Sequence, residues 1–201
     1  MVRKLSVEKR NSLLKAALKL FVEKGIQNTS TAEIAKEAGT AAGTLFIYFP
    51  TKQDLIDELA LKVSKELSDN INSLLDPSLS ARDSFLVIWN EVLHWFLSDV
   101  EAYQYAQQIR VPGVLSQAIV METGKYFNFF YQAIQKGLAE GCIKPYSIEL
   151  IGGFLYQDFV AMMNYIQMQP DAGKREEAIR QGFELFWDGI KTDKSIEQGK
   201  L

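Results

Sequence analysis

The chain has 201 residues, 47% of them apolar and 23% charged, with a formal net charge of −3 and a single cysteine. This is a globular composition with room for one or two domains; no run reaches the roughly 18 to 20 apolar residues a helix needs to cross a bilayer, and one thiol cannot build an intramolecular disulfide framework. The charged start, Met1 to Arg10, has no apolar signal-peptide core behind it, so a cytoplasmic location without a membrane partner is expected.

In chain order, Leu13, Leu14, Ala17, Leu18 and Phe21 mark one face of a first helix over Val7 to Lys24, stopped by Gly25. Ser30 and Glu33 have capping-box spacing, which predicts a short helix over Thr31–Ala38 ended by Gly39. A third short helix spans Ala41–Phe49 and stops at Pro50. Thr51 caps a longer one from Lys52, whose apolar positions Ile56, Leu59, Val63, Leu67, Ile71 and Leu74 run up to Asp76-Pro77. Further helices are expected at about 81–98, 100–109, 115–140, 147–168 and 174–191, and a polar tail from Thr192 is expected to fray. Period-two alternation is nearly absent. The expected fold is all-α, with about nine helices.

The net charge conceals an asymmetry. Residues 1–52 carry nine Lys or Arg against four acids, a balance of +5 that leaves −8 for the rest. Aromatics lean the other way: only Phe21, Phe46, Tyr48 and Phe49 of the 23 precede residue 80. A basic head on an acidic, aromatic body fits a protein that meets phosphates at one end.

Two short helices joined at Gly39 make, on spacing alone, either a plain helical corner or a helix-turn-helix whose second helix is able to enter a major groove. Ala41, Ala42 and Gly43 keep its front low, so that a backbone approaches base edges and methyls meet thymine methyls. Thr31, Thr44 and Tyr48 offer hydroxyls. Lys52 offers a charge at a helix start, where backbone amides also favour a phosphate.

The pattern Ile34-Ala35, Ala38-Gly39, Gly43-Thr44-Leu45, Tyr48-Phe49 and Thr51-Lys52, followed by Leu55-Ile56, resembles the tetracycline-repressor (TetR) family signature. The resemblance implies a homodimeric, ligand-regulated repressor of nine or ten helices per subunit. It implies DNA contacts, mainly to phosphates, from Thr31, Thr44, Tyr48 and Lys52. The chain departs from the usual pattern after Thr40, with Ala41 where serine is common and Ala42 where a base is frequent, and Ile47 stands where His or Arg often precedes the tyrosine. Base readout is therefore expected to lean on apolar contact, backbone and DNA shape. Residues 1–52 are read as the DNA-binding domain and 53–201 as a ligand-binding and dimerisation domain.

In that second region, Ile88-Trp89-Asn90 and Gly182 to Trp187 look like repressors of multidrug efflux systems. Trp89, Phe96, Phe127, Phe130, Tyr131, Phe159 and Met162 are candidates for lining an effector cleft, with plain core the alternative for any single aromatic. Asp158, inside the apolar run Ile151–Met163, is either a counter-ion for a cationic ligand or a hydrogen-bonded or dimer-interface carboxylate. Gly152 and Gly153, with the stripe Phe183, Phe186, Trp187 and Ile190, are candidates for the homodimer contact, with intramolecular packing the alternative for the stripe. One histidine, His94, and one cysteine, Cys142, leave zinc sites and histidine-based triads without most of their parts. No catalytic residue, metal or cofactor is expected. The partners are a double-stranded operator and a small-molecule effector; a small-molecule carrier with an incidental basic head is the alternative.

Overall fold

A computed structural model describes residues 6–192. Among them the fold is all-α, with ten helices: α1 Val7–Lys24, α2 Thr31–Glu37, α3 Ala42–Tyr48, α4 Lys52–Asn72, α5 Ala81–Ser98, α6 Val100–Ile109, α7 Gln117–Tyr126, α8 Asn128–Ala139, α9 Ile148–Gln167 and α10 Ala172–Ile190. Side-chain caps set most starts: Ser6 accepts from Lys9 N, Asp99 from Ala102 N, Ser147 from Leu150 N and Asp171 from Lys174 N.

The single helix expected over 115–140 is two. Phe127 breaks it, with ψ at 20°, and Phe130 N closes a tight turn on Phe127 O at 3.1 Å. Gly124 and the aromatic run from Tyr126 are weak helix formers, and the rings of Phe127, Phe129 and Phe130 gather at centroid distances of 4.6–6.2 Å. Helix α4 stops at Asn72, so Leu74 lies beyond it and is exposed.

The chain packs as two units. Among the described residues, one holds 6–66 together with Asp99–Tyr126; the other holds Leu67–Ser98 and 127–192. The first packing unit thus reaches past residue 52, taking in most of α4 with α6 and α7. Its core is Leu13, Leu14, Ala17 and Phe21 of α1 against Ile34, Ala35, Leu45, Phe49, Leu55 and Leu59.

The second unit packs α5, α8, α9 and α10 around Trp89. Its ring stacks on Phe186 at 5.8 Å and meets Phe159 at 5.2 Å, and its Nε1 donates to Ile179 O at 2.9 Å. Gly182 makes this packing possible: a Cβ there would lie 2.6 Å from Met162 Sδ and 2.9 Å from the Trp89 ring.

This arrangement corrects the dimer stripe. Phe183, Phe186 and Trp187 are buried within the unit against Phe85 and Trp89, Ile190 is buried too, and the stripe presents no face to a partner. On these last two helices the large apolar positions left open are Leu150, Phe154 and Tyr165 on α9, Met168 just past its end, and Leu185 on α10, with Phe154 65% and Leu185 77% exposed. A Cβ on Gly152 or Gly153 would meet nothing within 4 Å, so neither glycine serves close packing inside the unit. Thr192 is also held rather than frayed: its N donates to Cys142 O at 3.0 Å and its Oγ1 to Gly141 O at 2.9 Å. The rest of the expected tail, 193–201, lies outside the described residues.

Candidate nucleic-acid interface

The interface grows from a local rule obeyed at both ends of α2. Ser30 accepts from Glu33 N at 3.2 Å while Glu33 Oε2 accepts from Ser30 N at 2.9 Å, which completes the capping box. At the other end Gly39 takes φ +67°, a conformation that costs a glycine little. Thr40 N reaches back to Ala35 O at 2.9 Å and closes the turn. Helix α3 then starts at Ala42 and buries Leu45, with Phe49 buried just past its end. Two short helices are thereby fixed against α1 by Ile34, Ala35, Leu45 and Phe49.

What α3 buries determines what it presents. Ala41, Ala42, Gly43 and Ile47 are exposed, Thr40, Thr44 and Tyr48 half-buried. A Cβ on Gly43 would meet nothing within 4 Å, so the glycine answers no packing need inside the chain. The Tyr48 hydroxyl accepts from Ser6 N at 3.1 Å, tying the start of α1 to the end of α3. Thr31 and Lys52 come together on one concavity of about 490 Å³, shared with Gln27, Asn28, Thr29, Ser30 and Phe46. The Lys52 ammonium donates to Ile26 O at 2.6 Å, which holds it at that edge with N–H groups to spare. Thr51 and Asp54 cap α4: Asp54 Oδ2 accepts from Thr51 N at 2.8 Å and Asp54 N donates to Thr51 Oγ1 at 3.1 Å.

Part of the basic head is neutralised internally. Lys19 pairs with Glu37, Lys24 with Glu33 and Arg10 with Glu58, each at 2.6 Å. Arg10 also lies over the Phe49 ring, 5.3 Å from its centroid. Lys15 and Lys36 make no ion pair among the described residues and are exposed.

The Lys24 ammonium and the Ser30 N–H and hydroxyl hold the Glu33 carboxyl down at about 2. A carboxyl lowered by folding stabilises above its unfolded value near 4.5, and that contribution fades as pH falls toward 2. Glu33→Gln is therefore expected to flatten the loss of thermal stability between pH 5 and pH 2.5, and high salt, which screens this exposed pair, to weaken its effect. A melting profile in which wild type and variant fall in parallel through that window would contradict the assignment.

Two features of this unit escape a local reading of the sequence. Gln108 of α6 donates from Nε2 to Phe21 O at 2.7 Å and accepts from Ile26 N at 3.0 Å, fastening the end of α1 and the turn ahead of α2. Tyr105 stacks on Phe21 at 6.1 Å and donates to Ile56 O at 2.7 Å. Both act across more than forty residues, so no spacing in the sequence announces them. Phe46, 47% exposed, was legible: Leu45 and Phe49 claim the core face and leave it outside.

The candidate effector residues separate. Trp89 and Phe159 are core, and Phe130 links them to Phe127 through ring contacts of 6.4 and 6.2 Å. Met162 lies against Gly182, and Phe96 packs edge-on to Trp95 at 5.3 Å. Tyr131 is exposed, its hydroxyl accepting from Gln135. Asp158 is half-buried with no hydrogen bond or ion pair among the described residues, and burial raises its carboxyl above the ordinary value. Among the described residues no cluster of His, Cys, Asp or Glu has the form of a metal site, and no helix is long and apolar enough to cross a membrane.

A capped helix, a left-handed glycine turn and a short, low-fronted second helix have the form of the helix-turn-helix of DNA-binding proteins. Residues 13–59 match the family described as bacterial regulatory proteins, tetR family. Over 164 residues the chain is 24% identical to the HTH-type transcriptional regulator YhgD of Bacillus subtilis, covering 79% of this chain and 84% of that one. A tetR-family transcription regulator from Shewanella sp. PV-4 superposes with a TM-score of 0.84 at 28% identity, over 92% of this chain and 99% of the other. The regulator FadR of Bacillus subtilis, solved in complex with stearoyl-CoA, shares the fold with a TM-score of 0.75 at 17% identity, over 90% of this chain and 98% of that one. Residues 13–59 thus carry the tetR-family match, and over most of its length the chain is similar to transcriptional regulators of that family.

Proposed function

We propose that the protein is a homodimeric, cytoplasmic repressor that binds a pseudo-palindromic operator and is released by a small apolar or amphipathic effector, the ligand type of the multidrug-efflux repressors it resembles in sequence. The observation that carries the DNA half of this reading is the uncommitted front of α3. Ala41, Ala42, Gly43 and Ile47 face solvent, and among the described residues nothing lies within 4 Å of a Cβ on Gly43. Thr31 and Lys52 on one concavity, with Thr40, Thr44 and Tyr48 beside them, supply phosphate-facing groups. Residues 1–52 act as the DNA-binding domain and 53–201 as the effector and dimerisation domain.

The dimer is assigned to the open apolar face of α9 and α10. Leu150, Gly153, Phe154, Ala161, Tyr165 and Met168 fall on one stripe of α9, and Leu185 stands out on α10. One helix-turn-helix contacts one half-site, so a symmetric pair is what reaches two, about 34–36 Å apart. For the effector, support comes from the aromatic series Phe127, Phe130 and Phe159, from Met162 and from the unpartnered Asp158, together with the acyl-CoA held by the FadR neighbour. Release requires only that the effector prefer a conformation with lower operator affinity.

Selection of random duplexes with the purified chain tests this reading. Enrichment of an inverted repeat with half-sites one turn apart is expected, and a bound effector should lower affinity for it. A pool that stays random through successive rounds would favour a small-molecule carrier.

A further inference from the structure

We propose that α3 reads its operator through the C5-methyl groups of thymine, by an apolar strip of Ala42, Phe46 and Ile47, rather than through hydrogen bonds to base edges. The inference rests on the DNA-binding reading above and specifies its chemistry.

The seven residues of α3, Ala42-Gly-Thr-Leu-Phe-Ile-Tyr48, include no charged, carboxamide or imidazole side chain. The bidentate donors that select guanine and the amides that select adenine are therefore missing from the helix itself. Its polar atoms are two half-buried hydroxyls, and that of Tyr48 already accepts from Ser6 N. The N-cap, Ala41, makes no side-chain hydrogen bond.

What the helix offers instead is apolar surface. Ile47 is 63% and Phe46 47% exposed, and neither is needed by the core that Leu45 and Phe49 fill. Spacing of i to i+4 sets Ala42 beside Phe46 and Gly43 beside Ile47, so the two large side chains flank a low, small-residue front. Phe46 also walls the concavity that carries Lys52, Ser30 and Thr31. An apolar strip bordered by an ammonium and hydroxyls matches a surface that alternates methyls with phosphates. In the major groove the one apolar group presented by an unmodified base pair is the thymine methyl.

Each thymine of the selected operator is replaced in turn by deoxyuridine, which removes the methyl and keeps the pairing, and affinity is measured by competition. At one or more thymines per half-site a loss of about fourfold is expected, the worth of one buried methyl. In Ile47→Ala or Phe46→Ala the same replacement should cost almost nothing at the thymine that side chain touches. Both residues are exposed, so unchanged melting shows that the fold persists. Indifference to uracil at every thymine, or undiminished sensitivity in both variants, overturns the proposal while leaving the regulator reading intact. A selection that yields no preferred sequence overturns both.

Discussion

Trp89→Ala is expected to cost about 3 to 5 kcal/mol of stability, the largest single-residue effect in the helical body. Trp89 is 1% exposed, and its ring is shared by α5, α9 and α10 through Phe159, Phe183 and Phe186 at centroid distances of 5.2, 6.3 and 5.8 Å. Truncation leaves a void walled by these rings, which cannot collapse far because Gly182 already brings α10 against Met162. It also removes the donor to Ile179 O. Trp89→Phe keeps most of the volume and should recover more than half of the loss. Urea unfolding followed by near-ultraviolet circular dichroism reads this directly. A loss below about 1 kcal/mol, with only effector affinity reduced, would mean that Trp89 lines a cleft rather than holding the core.

The second large effect concerns assembly. Phe154→Glu combined with Leu185→Glu places two carboxylates on the open face of α9 and α10. Both positions are largely exposed within the subunit, so folding should persist. Two charges in an apolar contact have no partner there, and the dimer should dissociate. Linked half-sites strengthen one another by a factor of about 10² to 10⁴, so operator affinity should fall at least a hundredfold while random-sequence affinity changes little. Sedimentation velocity and a titration with selected duplex measure the two consequences. A variant that remains dimeric would place the interface elsewhere on the subunit.

Local chemistry was the legible part of this sequence. Both ends of α1 follow from its apolar period and Gly25, and the start of α2 from the Ser30–Glu33 spacing. Each depends on residues within a turn of one another. Where distant elements decide, the sequence misleads. The period of α10 isolates Phe183, Phe186, Trp187 and Ile190 as one face, yet only the arrival of Phe85 and Trp89 shows that this face is core. Leu185, one step round the helix, is the large apolar residue of α10 left exposed. The break at Phe127 is set by three rings gathering, which no helical period registers. Gln108 is a polar residue in an unexceptional run until the chain brings Phe21 O and Ile26 N to its amide. At the interface the split is similar: the low front of α3 is written in Ala41, Ala42 and Gly43, whereas the internal pairing of Lys19, Lys24 and Arg10 is not.

The claim that α3 enters the major groove turns most directly on Gly43. Its added Cβ meets nothing in the chain, and glycine inside a helix costs about 0.5 to 1 kcal/mol relative to alanine, so Gly43→Leu should melt no lower than wild type. The same side chain would stand where the groove floor must approach. Titration of the selected operator with this variant is expected to show affinity reduced at least a hundredfold, to the level of random-sequence duplex, in a protein as stable as the original. Operator affinity equal to that of wild type would contradict the placement of α3 in the groove.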